Sequence, residues 1–205
     1  MSTARAPALP PVTLSEHQGV RYLHLGTPWV QGALRIAQPD RVELVYVQRM
    51  LAALLWLPAE RLGPGAGPRA RAVQLGLGAA TLTRFTLLSL GLPTTVVEIN
   101  PQVVSACRAL FHLPERHPRL RVEVEDAGQW VAQEARGPVF DDAPFYQHCR
   151  DLLATGGVMA VNLFGRSAGF RQSVARIAGV FGADQVWQLR PTREGNTVVV
   201  AGRSV

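Results

Sequence analysis

From Ala72 onward, apolar runs of strand length alternate with runs of helical spacing, and that alternation restricts the fold more than any other feature. Ala72 to Leu77 reads as a buried strand and runs into the glycine-rich turn Gly76-Leu77-Gly78-Ala79-Ala80-Thr81. A helix over Thr81 to Leu90 is closed by Gly91 and Pro93. Thr94 to Ile99 is a second strand, with Glu98 near its end. Pro101 opens a helix to Phe111, at a position where its missing N–H costs nothing. Leu120 to Glu125 is a third strand with Asp126 at its tip, and Ala127 to Ala135 a short helix. Helices over Phe145 to Leu153 and Ser167 to Phe181 flank a strand at Val158 to Phe164. Two final strands, Gln185 to Leu189 and Asn196 to Ala201, are joined through Glu194-Gly195-Asn196, a hairpin signal. The pattern predicts an α/β domain with a mostly parallel sheet and an antiparallel last strand.

The first 40 residues read differently and form a separate unit, 1–40, ahead of a nucleoside-binding domain over 41–205. Val20, Tyr22 and His24 alternate as in a strand, and Glu16-His17-Gln18-Gly19 is a hairpin turn. Helical spacing then runs from Arg41 to Leu57, where Pro58 ends it. A parallel sheet closed by an antiparallel hairpin marks a Rossmann-like sheet of the class I methyltransferase type, here preceded by a small N-terminal β-hairpin region.

Composition narrows the function classes. Apolar residues at 47% and charged residues at 18% exclude a disordered chain and a coiled coil. All 21 basic residues are arginine, so lysine Schiff-base chemistry and a Walker-type phosphate lysine are excluded. The arginines are scattered, which argues against nucleic acid as a partner despite the net charge of +6. The longest apolar stretch, Met50 to Leu57, is too short to cross a membrane. No signal peptide is visible over Met1 to Pro11 and only two cysteines occur, so the expected setting is the cytoplasm. Cys107 and Cys149 sit in helical patterns as small buried hydrophobes. His24, His112, His117 and His148 share no ligand spacing, and no metal is expected.

The chemistry-bearing set is Gly76-x-Gly78, Glu98 and Asp126. The glycines let the backbone turn sharply and approach a ligand, and the helix after them points its positive end at the turn. Glu98 lies 20 residues after Gly78 at a strand tip, where a carboxylate can accept from ribose hydroxyls. Asp126 can accept from an adenine amino group. Gly-x-Gly alone is weak, since any tight strand-to-helix turn selects glycine. All three together fall at carboxyl ends of parallel strands, where open α/β sheets bind ligands.

Several blocks together resemble the spermidine synthase (polyamine aminopropyltransferase) family, in its bacterial spermidine-synthase-like branch. They are Gln31-Gly32, Tyr46-Val47-Gln48-Arg49-Met50-Leu51, Gln74 through Thr83, Val97-Glu98-Ile99-Asn100-Pro101, Glu125-Asp126-Ala127, Gly156-Gly157-Val158 and Asn162-Leu163-Phe164-Gly165. The resemblance implies a homodimer taking S-adenosylmethionine or its decarboxylated form, a small-molecule nucleoside donor, and an alkyl acceptor that the sequence does not name. It places Gln31 and Tyr46 on one wall of the site, Glu98 at the ribose, and Asp126 with Ala127 beside the adenine. Alternatives are a non-catalytic binding or regulatory relative, and a methyltransferase acting on a small molecule or RNA.

The chain also departs from that pattern. Gly78 stands where aminopropyltransferases carry an aspartate, and Val47 and Gln48 replace a histidine and a glutamate. A buried polyamine needs paired carboxylates, so these changes point away from spermidine synthesis. A fourth parallel strand, ending in the family's catalytic aspartate, belongs between Asp126 and Phe145, yet no β-rich apolar run occurs there. Either that strand is deleted, or residues near 133–137 are missing from the sequence, and the cost of opening a sheet at its centre favours the second. The catalytic base is therefore unassigned. Asp141 and Asp142 are the nearest acids and read as caps of the following helix.

Overall fold

The computed structural model describes residues 8–63, 67, 70–135, 145–164 and 168–204. The alternation resolves into nine strands and six α-helices among them. The N-terminal region is an antiparallel sheet of β1 (Val12–His17), β2 (Val20–Leu25) and β3 (Val30–Arg35). Gln18 and Gly19, both at positive φ, form the β1–β2 turn that the sequence indicates. The β2–β3 register slips at Leu23/His24, a bulge that no sequence pattern marks.

Helix α1 (Val45–Ala52) is shorter than the helical spacing suggests, because Ala53–Trp56 tighten into a 3-10 turn before Pro58. Its approach is fixed by an ion pair between Arg35 of β3 and Glu43, with Arg41 adding a second contact at 3.2 Å. The hydrogen bond from Arg35 holds the Glu43 carboxyl below its ordinary value. A carboxyl depressed in the folded state contributes stability above its unfolded pKa, and that contribution is lost as pH falls through the folded value. Glu43→Gln is expected to lower the urea midpoint at pH 7, and by clearly less at pH 3. An equal loss at both pH values would show that charge plays no part.

Strands β4 (Ala72–Leu75), β5 (Thr94–Val97) and β6 (Leu120–Glu123) pair in parallel in the order β4-β5-β6. Helix α2 (Thr81–Arg84) continues as a π-turn over Phe85–Ser89, where the Thr86 hydroxyl donates back toward the carbonyls of Leu82 and Thr83. Helix α3 (Pro101–Leu110) begins at Pro101, with Asn100 accepting from the Gln102 N–H as its cap. Helix α4 spans Ala127–Glu134 and α5 Phe145–Leu152. Asp141 and Asp142 lie outside the described residues.

Strand β7 (Val158–Phe164), helix α6 (Ala168–Phe181), β8 (Val186–Gln188) and β9 (Asn196–Gly202) complete the chain. Both β7 and β8 run antiparallel to β9, in the order β7-β9-β8, so the last strand is antiparallel to its neighbours as expected. Among the described residues no ladder joins β4 to β7, and residues 136–144, where the fourth strand is expected, lie outside them. Side chains bridge the seam. Leu75 and Val97 of the parallel strands pack with Trp130 and Val131 of α4, Cys149 and Leu152 of α5, and Met159 of β7.

The N-terminal sheet is joined to the parallel strands by a shared core. Leu23 and Leu34 cluster with Leu77, Val96, Val103, Cys107 and Phe111. Arg84 adds a polar latch: it is 4% exposed and donates to the carbonyls of Pro39 and Phe111 and to the Asp40 carboxylate. A buried cation is tolerated only with such partners.

Candidate functional site

The site is built at the carboxyl ends of β4, β5 and β6. Past Leu75 the chain turns through Gly76, Gly78 and Ala80, all at positive φ (84°, 53° and 58°). Two of the three are glycine, as this conformation demands. The turn is held from below. The buried Glu98 carboxylate accepts from the Leu77 N–H at 2.8 Å and the Asn100 N–H at 2.9 Å, one on each oxygen. Each oxygen keeps a second lone pair for another donor. The Cys107 thiol donates to the Gly78 carbonyl at 3.1 Å, and burial pushes that thiol up to about 12, so it stays protonated.

The turn is held from above by β3. A Cβ placed on Gly32 would lie 2.4 Å from both the Cβ and the backbone N of Ala79, and one placed on Gly78 would lie 3.1 Å from the Gln31 carbonyl. A Cβ on Gly76 would meet nothing within 4 Å. The two glycines therefore differ in use: Gly78 yields to the neighbouring strand, while Gly76 leaves its side of the turn open to a ligand. Tyr46, on the first turn of α1, donates its hydroxyl to the Gln31 carbonyl at 2.9 Å, and burial raises its pKa to about 12. The Gln31 side chain itself is exposed.

Gln31, Tyr46, Gly76, Gly78 and Glu98 thus come together. Asp126 and Ala127 lie at the next strand tip, where the Glu125 N–H donates to the Glu98 carbonyl at 3.2 Å. Asp126 caps α4 by accepting from the Gln129 N–H at 3.0 Å. Gly32 and Cys107 are the supports that sequence reasoning missed. A glycine inside a strand pattern was the available signal for a close backbone approach. The described residues contain no group of three His, Cys, Asp or Glu able to hold a metal ion, and no helix long and apolar enough to cross a membrane.

This geometry belongs to the Rossmann-like class of the class I methyltransferases. A probable spermidine synthase from Corynebacterium glutamicum superimposes with a TM-score of 0.71 over 98% of this chain and 81% of its own, at 21% identity. Human methyltransferase-like protein 13, in complex with SAH, gives 0.63 over 78% of this chain and 82% of its own, at 20% identity. The polyamine aminopropyltransferase of Chromobacterium violaceum is 30% identical over 215 residues, covering 96% of this chain and 77% of that protein. The chain belongs to the polyamine aminopropyltransferase family and is a spermidine-synthase-like transferase by descent. The Neisseria meningitidis serogroup A polyamine aminopropyltransferase is 28% identical, over 95% of this chain and 77% of its own. No family model matches the chain. The Chromobacterium alignment runs over more positions than this chain has residues, so the relative carries additional residues inside the aligned stretch.

Proposed function

We propose that the chain binds an S-adenosyl sulfonium donor across the Gly76–Ala80 turn and transfers an alkyl group to an amine or another nucleophile. The observation that carries this reading is the turn itself. It is clamped between β3 and the Glu98 carboxylate, and is open to solvent beside Gly76. In this reading the free lone pairs of Glu98 accept from the ribose hydroxyls, Asp126 and Ala127 flank the adenine, and Gln31 with Tyr46 form the opposite wall. The donor supplies an electrophilic carbon: the acceptor's lone pair makes the new bond, the C–S pair stays on sulfur as a neutral thioether, and the acceptor's proton leaves to a base or to water. The chain's own contribution is positioning, which can supply much of the rate of such a transfer.

Gly78 bears on the form of the donor. A carboxylate at that position would repel a donor that retains its own carboxylate, and glycine does not. S-Adenosylmethionine itself is therefore the proposed donor, rather than the decarboxylated form. Titration calorimetry with both forms and with methylthioadenosine tests this, and no binding of any of the three would end the reading. Gly78→Asp strains the turn and weakens both forms, and like-charge contact is expected to weaken S-adenosylmethionine roughly tenfold more than the decarboxylated form. An equal loss for both would mean that only the turn had been disturbed.

The units 1–40 and 41–205, the homodimer and a cytoplasmic setting belong to the same proposal, supported by the family membership. A second reading, a binding or regulatory module without turnover, is favoured by Gly78, Val47 and Gln48, which stand where the family pattern has an aspartate, a histidine and a glutamate. Transfer of a labelled methyl group to any acceptor, lost on Glu98→Ala, would exclude it.

A further inference from the structure

Beyond the donor edge, the carboxyl end of β7 carries an arrangement that the proposed donor site does not use. Trp29, two residues before Gln31, meets Phe164 at the end of β7 with ring centroids 5.3 Å apart and planes tilted by 58°. Both rings stand largely in solvent, Trp29 at 60% and Phe164 at 57% exposure. Large aromatic rings paired and left open at a ligand-binding edge present faces on which another flat ring can stack.

The position is fixed by structure on each side. The Trp29 carbonyl lies 3.2 Å from the His24 ring, and β3 continues directly onto the glycine-rich turn. Phe164 packs near Gly195 of the β8–β9 turn. Asn162 lies on the same face of β7, two residues earlier. Its amide donates to the Asn196 side chain at 3.0 Å, while its Oδ1 is buried with no hydrogen-bond partner among the described residues. A buried acceptor without a partner is costly, and a ligand N–H or O–H can satisfy it.

Charge decides against a polyamine at this place. Arg49 donates to the Arg190 carbonyl, and both Arg49 and Arg193 act on Glu194, so two arginines attend one carboxylate at this corner. That carboxylate is already engaged by its own backbone N–H and by Thr192.

We infer that Trp29, Phe164 and Asn162 form the acceptor subsite, and that its acceptor is a flat, uncharged aromatic molecule bearing an N–H or O–H donor. The inference rests on the transferase reading for the word acceptor, but the subsite's binding chemistry can be tested apart from it. The probes are benzimidazole, which is flat and neutral with one N–H, and putrescine, a dication without a ring. Each is titrated by calorimetry at pH 7.5 into the full chain without donor. Benzimidazole is expected to bind saturably, and Trp29→Ala, Phe164→Ala and Asn162→Leu each to weaken it by about tenfold. In the Trp29 and Phe164 variants, S-adenosylmethionine affinity and the urea midpoint are expected to hold within twofold and within error, because both rings are exposed. Absence of benzimidazole binding overturns the inference, as does putrescine binding more tightly than benzimidazole or benzimidazole binding unmoved by the three substitutions. Loss of S-adenosylmethionine binding in the unaltered chain would overturn the donor reading instead, and would leave the benzimidazole result standing.

Discussion

Gly32→Ala is expected to destabilise the protein by about 3 kcal/mol, at the upper end of what one added methyl group does to a packed interior. The new Cβ would sit 2.4 Å from the Ala79 backbone nitrogen and 3.0 Å from its Cα. Those are backbone atoms, and they cannot swing aside as a side chain would. Ala79 lies between Gly78 and Ala80, both already at positive φ, so the turn has no low-energy direction in which to retreat. The strain must then open β3 from the turn, carrying Gln31 and Trp29 with it. Urea unfolding monitored by far-UV circular dichroism measures the loss. A change below about 0.5 kcal/mol, the size of an ordinary surface substitution, would show that β3 does not clamp the turn as described.

Glu98 carries the second large effect, and two substitutions separate its two roles. Glu98→Ala removes the acceptor for both the Leu77 and Asn100 N–H groups. Leaving buried donors unpaired costs roughly 1–3 kcal/mol each, so the stability loss should be large as well as the loss of donor binding. Glu98→Gln keeps one accepting oxygen and turns an amide N–H₂ toward the other partner. It should therefore be milder in stability, yet lack the pair of carboxylate oxygens proposed for the ribose. S-Adenosylmethionine affinity is expected to fall at least about thirtyfold in Glu98→Gln, the loss of charge-assisted hydrogen bonds worth about 2 kcal/mol. Retention of affinity within twofold by a folded Glu98→Gln protein would reduce Glu98 to a brace for the turn.

The parts of this protein that were legible in its sequence are those set by neighbours along the chain. Alternation at Val20 to His24, the Pro101 helix start, and glycine at Gly19 and Gly195 each report a local dihedral or a local face. The structure follows them to within a few residues. Glu98 was legible because a strand end and a spacing of 20 residues define its place. The supports around it were not. The Gly32–Ala79 contact joins positions far apart in sequence, and Trp29 meets Phe164 across an even longer separation. Nothing in the sequence marks Arg84 as buried, and its partners, the carbonyls of Pro39 and Phe111 and the Asp40 carboxylate, are distant along the chain. The π-turn after it depends on where the Thr86 hydroxyl finds acceptors, which no periodicity encodes. The seam between the two sheets is a different case: the pattern demands a strand there, and residues 136–144, where it would fall, lie outside the described residues.

That seam divides the site by its mode of construction. Gly76, Glu98 and Asp126 follow the strands of one hydrogen-bonded ladder, and Asn162 and Phe164 lie within another. No backbone hydrogen bond among the described residues carries register from one ladder to the other. What passes between them passes through the shapes of Leu75, Trp130, Leu152 and Met159. The two sides of this molecule are therefore free to diverge at different speeds. A lineage can keep its nucleoside-holding half nearly unaltered while the half facing the other reactant drifts, so long as the volumes along the seam still match.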